Sequence, residues 1–292
     1  MRAPLWLARL WRIPAGRISA IIVAGTLAVA GVALVWTPFD PRHADAYAAW
    51  LPPGWPHLLG TDDAGRDILS LLMAGSRVTV LVAIGAGAVA TIVGILLAAL
   101  GALTARPVRE SVAVIVDVLI AFPVLLIAMM ISAVWGGSLW VVVWSVGIGY
   151  GVNIARVARG ELRRVGHADF VLAARASGLT RGQILARHLL PNAAPVFIVQ
   201  LSWSMAAAVL AEAGLSYLGF GAPVTEPSWG LLLSELQDYV SIHPWSVLWP
   251  GLAITATVFA LNLLGDALRE ATDPVLARRG RRPQTHTPGV VA

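Results

Sequence analysis

The chain has 292 residues, of which 58% are apolar and only 13% are charged. Soluble domains carry about 25% charged residues, so this composition excludes a soluble globular protein and predicts one that crosses a membrane several times. The absence of cysteine excludes disulfides and thiolate metal sites. All 21 basic residues are arginine. A P-loop needs a lysine on its phosphates, so this chain cannot be a standard P-loop ATPase, and any ATP and magnesium would be used by partner chains. We expect this chain itself to bind no cofactor.

Six apolar stretches are long enough to cross a bilayer. The predicted fold is therefore all-α, with six transmembrane helices at residues 18–36, 78–103, 112–134, 139–155, 193–213 and 247–267. Asp117 and Pro123 interrupt the third stretch. The first stretch is too long for a secretory signal and has no clear cleavage site after it, so we predict an uncleaved helix.

Polar segments separate these spans, and arginine is distributed unevenly among them. With six spans both termini lie on one side, together with residues 1–17, the link 104–111, the segment 156–190 and a partly disordered tail, 268–292. That side holds 18 of the 21 arginines, so the positive-inside rule places it in the cytoplasm. Segments 37–77 and 214–246, the second with a short helix at 229–240, are predicted to be extracytoplasmic. The basic excess indicates topology and not nucleic-acid binding.

The segment 156–190 ends in a pattern that predicts two short helices with a corner between them. The first helix runs to about Ser177, and Gly178 suits the left-handed conformation that ends a helix. Thr180 and Gln183 have the spacing of a capping box. Pro191 is acceptable in the first turn of the next helix. Such a corner suits docking into the groove of another protein, although an ordinary cytoplasmic loop would also explain the pattern.

The corner and several further stretches resemble one family, the binding-protein-dependent ABC importer permeases. AARASG…LLPN resembles their EAA loop. Other stretches resemble the C-type permease of dipeptide and oligopeptide importers, in the peptide/nickel subgroup: LGTDDAGRDILSLLMAGSR (59–77), DVLIAFP (117–123), IARVARGEL (154–162), EAGLSYLGFGAPVTEPSWGLLL (212–233) and NLLGDALREATDP (262–274). Two positions depart from the pattern: Leu172 replaces the usual first acid of the loop, with Asp169 one turn upstream, and Leu71 replaces a usual arginine.

The resemblance implies a type I ABC importer transmembrane domain, core 78–267, in the cytoplasmic membrane. It would import di- or oligopeptides, or alternatively nickel chelates or another small solute. Its implied partners are a second permease, two ATP-binding subunits and an extracytoplasmic binding protein. The implied ATPase-docking residues are Asp169, Leu172, Ala173, Ala174, Ser177, Gly178, Leu190 and Pro191. The residues implied at an outer loop or gate are Tyr217, Gly219, Gly221, Trp229 and Gly230.

Two points about the site remain open from the residues. The small face of Ala173, Ala174 and Gly178 is expected against the ATPase, with packing on this chain's own spans as the alternative. Asp117 and Asp266 are expected to be structural acids, paired with Arg106, Arg109, Arg269 or partner groups. A proton relay would place acids nearer the middle of the membrane, and an ion-driven secondary transporter would show more broken helices. Intramembrane hydrolase motifs are missing from the sequence.

Overall fold

The computed structural model describes residues 9–223 and 225–272, and these residues are almost entirely helical. The predicted disorder of the tail therefore falls mostly outside the described residues. The helices are α1 (Pro14–Val32), α2 (Ile68–Leu103), α3 (Arg106–Ile120), α4 (Val124–Trp135), α5 (Leu139–Gly166), α6 (Asp169–Ala176), α7 (Arg181–Ile184), α8 (Leu190–Tyr217), α9 (Trp229–Leu236) and α10 (Pro244–Thr272). A π-helical stretch, Leu185–Leu189, joins α7 to α8.

The described helices contain five candidate membrane spans, or six if α3 and α4 count as one. The all-helical fold with six spans is confirmed on that count. The third predicted span, 112–134, is a pair of helices: α3 and α4 are bent by 82°, in the stretch where the sequence indicated an interruption. Pro123 explains the break: it has no N–H for a helix and disfavours helical geometry at Phe122. It adopts an extended conformation, φ −60° and ψ 125°, directly before α4.

Several helices run further than the apolar stretches predict. α2 begins at Ile68, inside the segment predicted to be a connection, and α5 continues to Gly166, inside the segment assigned to the corner. With a rise of about 1.5 Å per residue, the 36 residues of α2 extend well beyond a hydrocarbon core of about 30 Å. Hydropathy marks where the bilayer ends, whereas a helix can continue into water on its own hydrogen bonds.

The most extensive helix packing joins α2 and α5. Valines of α2 lie in notches that glycines leave on α5. A Cβ atom added at Gly147 would lie 2.7 Å from Val89 Cβ, and one added at Gly151 would lie 2.7 Å from Val93 Cβ. Small residues thus let the two backbones approach closely, which is how apolar helices associate in lipid. α8 packs on α2, and α10 packs on α8 and α1.

The two ends of the bundle differ. The arginine-rich end carries α6, α7 and the π-helical stretch. The opposite end carries residues 37–67, which contain an isolated bridge between Thr61 and Asp67, and α9 with the loop before it. Arg66 ties these two parts together: it lies 2.6 Å from Asp62 and 2.6 Å from Glu235 of α9. Burial alone would lower the pKa of Arg66, but the two carboxylates outweigh it and raise that pKa.

Gly94 of α2 provides a test of this close packing. An added Cβ would lie 2.4 Å from Ile154 Cγ2, whereas nothing lies within 4 Å of one added at Gly101 in the same helix. Ile154 is β-branched and moves little. Overpacking costs about 1–3 kcal/mol, and alanine gains up to about 1 kcal/mol over glycine in a helix. We expect Gly94→Ala to lower the thermal unfolding midpoint in detergent, and Gly101→Ala to leave it unchanged or raise it. Equal midpoints for the two variants would contradict the packing.

Candidate functional site

The corner at the arginine-rich end is built from two helix-terminating motifs. α6 ends in a Schellman motif: Leu179 N–H donates to the Ala174 carbonyl at 3.2 Å, and Gly178 N–H to the Arg175 carbonyl at 3.0 Å. Gly178 has φ +83°, a value that glycine adopts without a steric penalty. The predicted end of the first helix is therefore confirmed.

The predicted capping box restarts the chain. Gln183 N–H donates to Thr180 Oγ1 at 3.3 Å, and Thr180 N–H donates to Gln183 Oε1 at 2.9 Å. After the π-helical stretch, α8 begins with Pro191 in its first turn. The chain thus turns at a fixed corner and re-enters the bundle without a flexible break. Leu190 is half-buried and Pro191 is exposed.

One face of the corner is built into the core. Buried side chains of the corner pack with buried residues of α2, α5 and α8; those of the corner are Val171, Ala174, Ile184, Leu185 and Leu189. Val171 is fully buried, and Ile154, which occupies the notch at Gly94, belongs to the same cluster. This face of the corner is therefore anchored in the helix bundle.

The opposite face of the corner is free in this chain. Phe170 is 46% exposed and Leu172 is 52% exposed, and Asp169, Ala173, Ser177 and Gly178 are exposed as well. Ala174, which was predicted to dock the ATPase, does not form part of the free face. It is only 8% exposed and packs on this chain's own core. Phe170 was missed from sequence. An aromatic residue directly after the N-terminal Asp169 of a polar segment was the available signal.

The residues predicted for the outer loop lie together at the opposite end. Gly219, with φ +83°, ends α8. Gly221 and Gly230 contact the backbone of Ser216 and Ala213 so closely that no side chain would fit. Trp229 packs on Gly75, and its Nε1 donates to the Leu72 carbonyl at 2.9 Å. Tyr217 hydrogen-bonds to Gln237. The loop after α8 is therefore held against α2 and α8.

Glu212, which lies beneath this loop, is fully buried. Ser216 Oγ donates to Glu212 Oε1 at 2.7 Å and accepts from Ala222 N–H at 3.0 Å. This serine therefore connects the buried carboxyl group to the loop. Glu212 was not assigned to the loop from sequence, because its position eleven residues before a Pro–Val–Thr–Glu–Pro segment gives no sign of the contact.

The two predicted structural acids are not brought together. Asp117 lies 3.5 Å from Arg159 and 3.9 Å from Arg156, so its predicted pairing with Arg106, Arg109 or Arg269 is wrong. Asp117 lies in α3, which packs on α5, and both of its arginine partners belong to α5. Asp266 is exposed, and among the described residues no basic group lies within 4 Å of it.

A cleft of about 800 Å³ opens beside the corner, between the ends of α5, α8 and α10. Phe170 of the corner and Gln200 of α8 line it, as does Glu161, which pairs with Arg164 at 2.6 Å. Across residues 9–223 and 225–272, no cluster of His, Asp and Glu side chains has a geometry that could hold a metal ion.

The helix bundle and its anchored corner define a class of protein: a helical membrane protein with a rigid projection at one end. Comparisons with known proteins identify the family. The chain belongs to the binding-protein-dependent transport system inner membrane components, whose family model matches residues 90–278. This chain is thus a permease subunit of an ABC importer, not an enzyme, and ATP hydrolysis belongs to separate subunits. The predicted family and role are confirmed.

Named relatives show how far the similarity extends. A Brucella suis protein described as a peptide permease is 34% identical over 82% of this chain and 80% of its own length. The dipeptide transport system permease protein DppC of Alkalihalophilus pseudofirmus is 35% identical over 76% of this chain and 73% of its own. A chain of the MetNI methionine ABC transporter, in an inward-facing conformation, has the same fold, with a TM-score of 0.59 at 20% identity; the match covers 70% of this chain and 98% of that one.

The two faces of the corner predict different chemical reactivity at neighbouring residues. The protein has no cysteine, so an introduced thiol would be unique. In the purified protein, we expect a water-soluble maleimide to react at least about tenfold faster with Ala173→Cys than with Ala174→Cys, because the first position is exposed and the second is buried. Labelling after denaturation controls for expression and folding. Equal rates in the folded protein would show that the corner is not anchored as described.

Proposed function

We propose that this chain imports di- or oligopeptides across the cytoplasmic membrane. The observation that carries the proposal is its 34–35% identity, over most of the chain, to proteins described as peptide and dipeptide permeases. It would act with a second permease, two ATPase subunits and an extracytoplasmic binding protein. The distribution of arginine supports an orientation with the arginine-rich end and both termini in the cytoplasm.

The free face of the corner is proposed to be the ATPase contact. Exposed Phe170 and Leu172 lie beside Asp169 and Arg175, and an apolar centre with a charged rim is typical of protein interfaces. Burying one such side chain stabilises a complex by about 1.5–3 kcal/mol. Since Leu172 occupies the position where the family usually has an acid, this contact would rely on apolar packing there and not on a salt bridge.

Coupling follows from the way the corner is anchored. Movement of the ATPase on the free face would shift α6 and α7 together, because hydrogen-bonded caps fix the turn between these two helices on both sides. The buried face would pass that shift to α5 and α8, between which the corner is inserted. At the other end, the loop after α8, from Gly219 to Trp229, would border the path of the solute and respond to the same movement of α8.

The substrate class can be tested with the assembled complex. The tagged chain would be purified with its partners, reconstituted in liposomes with ATP and offered the solute-loaded binding protein together with a library of di- to pentapeptides. Mass spectrometry of the lumen should show ATP-dependent accumulation of peptides. Accumulation of nickel chelates or another solute without peptides would reject the proposed substrate. ATP-independent transport by the chain alone would reject the proposed mechanism.

The coupling role of the corner predicts a difference between two glycines. Gly178→Val places a β-branched residue at φ +83°, which such residues strongly disfavour, whereas Gly182 lies in α7 with nothing within 4 Å of an added Cβ. We expect Gly178→Val to reduce substrate-stimulated ATPase activity of the complex at least about tenfold, while Gly182→Val stays within about twofold of wild type. Both variants should insert into the membrane normally. Full stimulation in the Gly178 variant would show that the corner does not transmit the movement.

A further inference from the structure

The outer end of the bundle has few basic groups, and they lie close to one another. Beyond the arginine-rich end, the sequence has three arginines, Arg42, Arg66 and Arg77. Arg66 is occupied by Asp62 and Glu235, each 2.6 Å away. The other two arginines have no such partners: among residues 9–223 and 225–272, no carboxylate oxygen lies within 4 Å of either guanidinium.

Arg77 is in an unusual position for an unpaired charge. It lies nine residues after Ile68, the first residue of α2, and is partly buried against the bundle. Its Nε–H donates to the Ala74 carbonyl, one turn earlier in the same helix, at 3.2 Å. No hydrogen bond from its two terminal nitrogens is present within the described residues. An arginine near the end of a membrane helix can extend its charged end to the interface, so this guanidinium is available to a ligand.

A cleft explains where the free end of Arg77 is directed. This cleft, of about 270 Å³, has Arg42 and Arg77 among its lining residues, an apolar wall of Val78, Leu81 and Leu139, and one acid, Glu226. Its size is slightly below that of pockets that enclose a whole small ligand, so it suits one end of an extended solute. Glu226 belongs to the loop that we propose to border the solute path.

We propose that Arg77, with Arg42, forms a subsite that binds the free carboxylate of the solute as it enters the path. The assignment rests on the proposed function, because it identifies that carboxylate as the C-terminus of a peptide. Arginine binds carboxylates through paired N–H groups. Val78, Leu81 and Leu139 provide apolar surface for the last side chain of the peptide. A carboxylate on the binding protein is the other source of the same chemistry.

The test compares solutes that differ only at the C-terminus. The complete complex in proteoliposomes, with saturating binding protein, would receive alanine-based di- and tripeptides as free acids and as C-terminal amides. We expect wild type to import the free acids at least about tenfold faster. Arg77→Gln should slow the free acids by about tenfold and leave the amides unchanged, so that the preference disappears. Arg77→Lys should retain part of it, and Arg109→Gln, which removes an exposed charge at the arginine-rich end, serves as the matched control.

Each alternative has its own outcome. If wild type imports no peptide in either form, the proposed function itself fails. If peptides enter but Arg77→Gln keeps the wild-type preference, the subsite is wrong and the proposed function stands. If Arg77→Gln slows both forms equally and weakens binding of the empty binding protein to the complex, the carboxylate belongs to the binding protein, which also overturns the assignment to the solute. A loss of folded complex is excluded by unchanged basal ATPase activity.

Discussion

The structure depends on the interlocking of α2 and α5. Apolar helices in a bilayer gain little from the hydrophobic effect when they associate, so close contact must hold them together. Val89 and Val93 fill the notches at Gly147 and Gly151, and Ile154 fills the notch at Gly94. Ile154 also lies in the cluster that anchors the corner. The packing that joins α2 to α5 is therefore continuous with the packing that anchors the corner.

The rigidity of the corner comes from hydrogen bonds between neighbouring residues, whereas its attachment to the bundle comes from contacts with residues distant in the sequence. The Schellman motif at Gly178 and the capping box at Thr180 need only neighbouring residues, so the corner keeps its angle wherever it is placed. Its direction is decided by Val171 and Ala174, which are buried among residues from three other helices. Phe170 and Leu172 consequently remain on the outside, available to a partner. A stiff element with one face anchored and one face free is what transmission of movement between two proteins requires.

The sequence predicted what depends on local chemistry and failed where tertiary packing decides. The left-handed Gly178, the capping box and the first-turn Pro191 follow from the residues themselves. Which side of α6 faces inward does not, and Ala174 was accordingly assigned to the wrong face. Pro123 indicated an interruption, but neither the 82° bend nor the approach of Asp117 to Arg159 could be derived from spacing. The helix ends at Ile68 and Gly166 were missed because hydropathy indicates only the part of a helix that crosses the membrane.

The two candidate sites lie at opposite ends of the same pair of packed helices. Arg77 and the apolar wall of its cleft belong to α2 and to the first residue of α5. Near the other end of this pair, Ile154 of α5 and Ala98 of α2 pack in the cluster that anchors the corner. Because close-packed interfaces shift between discrete arrangements and do not deform gradually, a change in the spacing of α2 and α5 at one end has to be accommodated at the other. If the two proposed roles hold, the glycine notches would give solute entry and ATPase movement a common structural element.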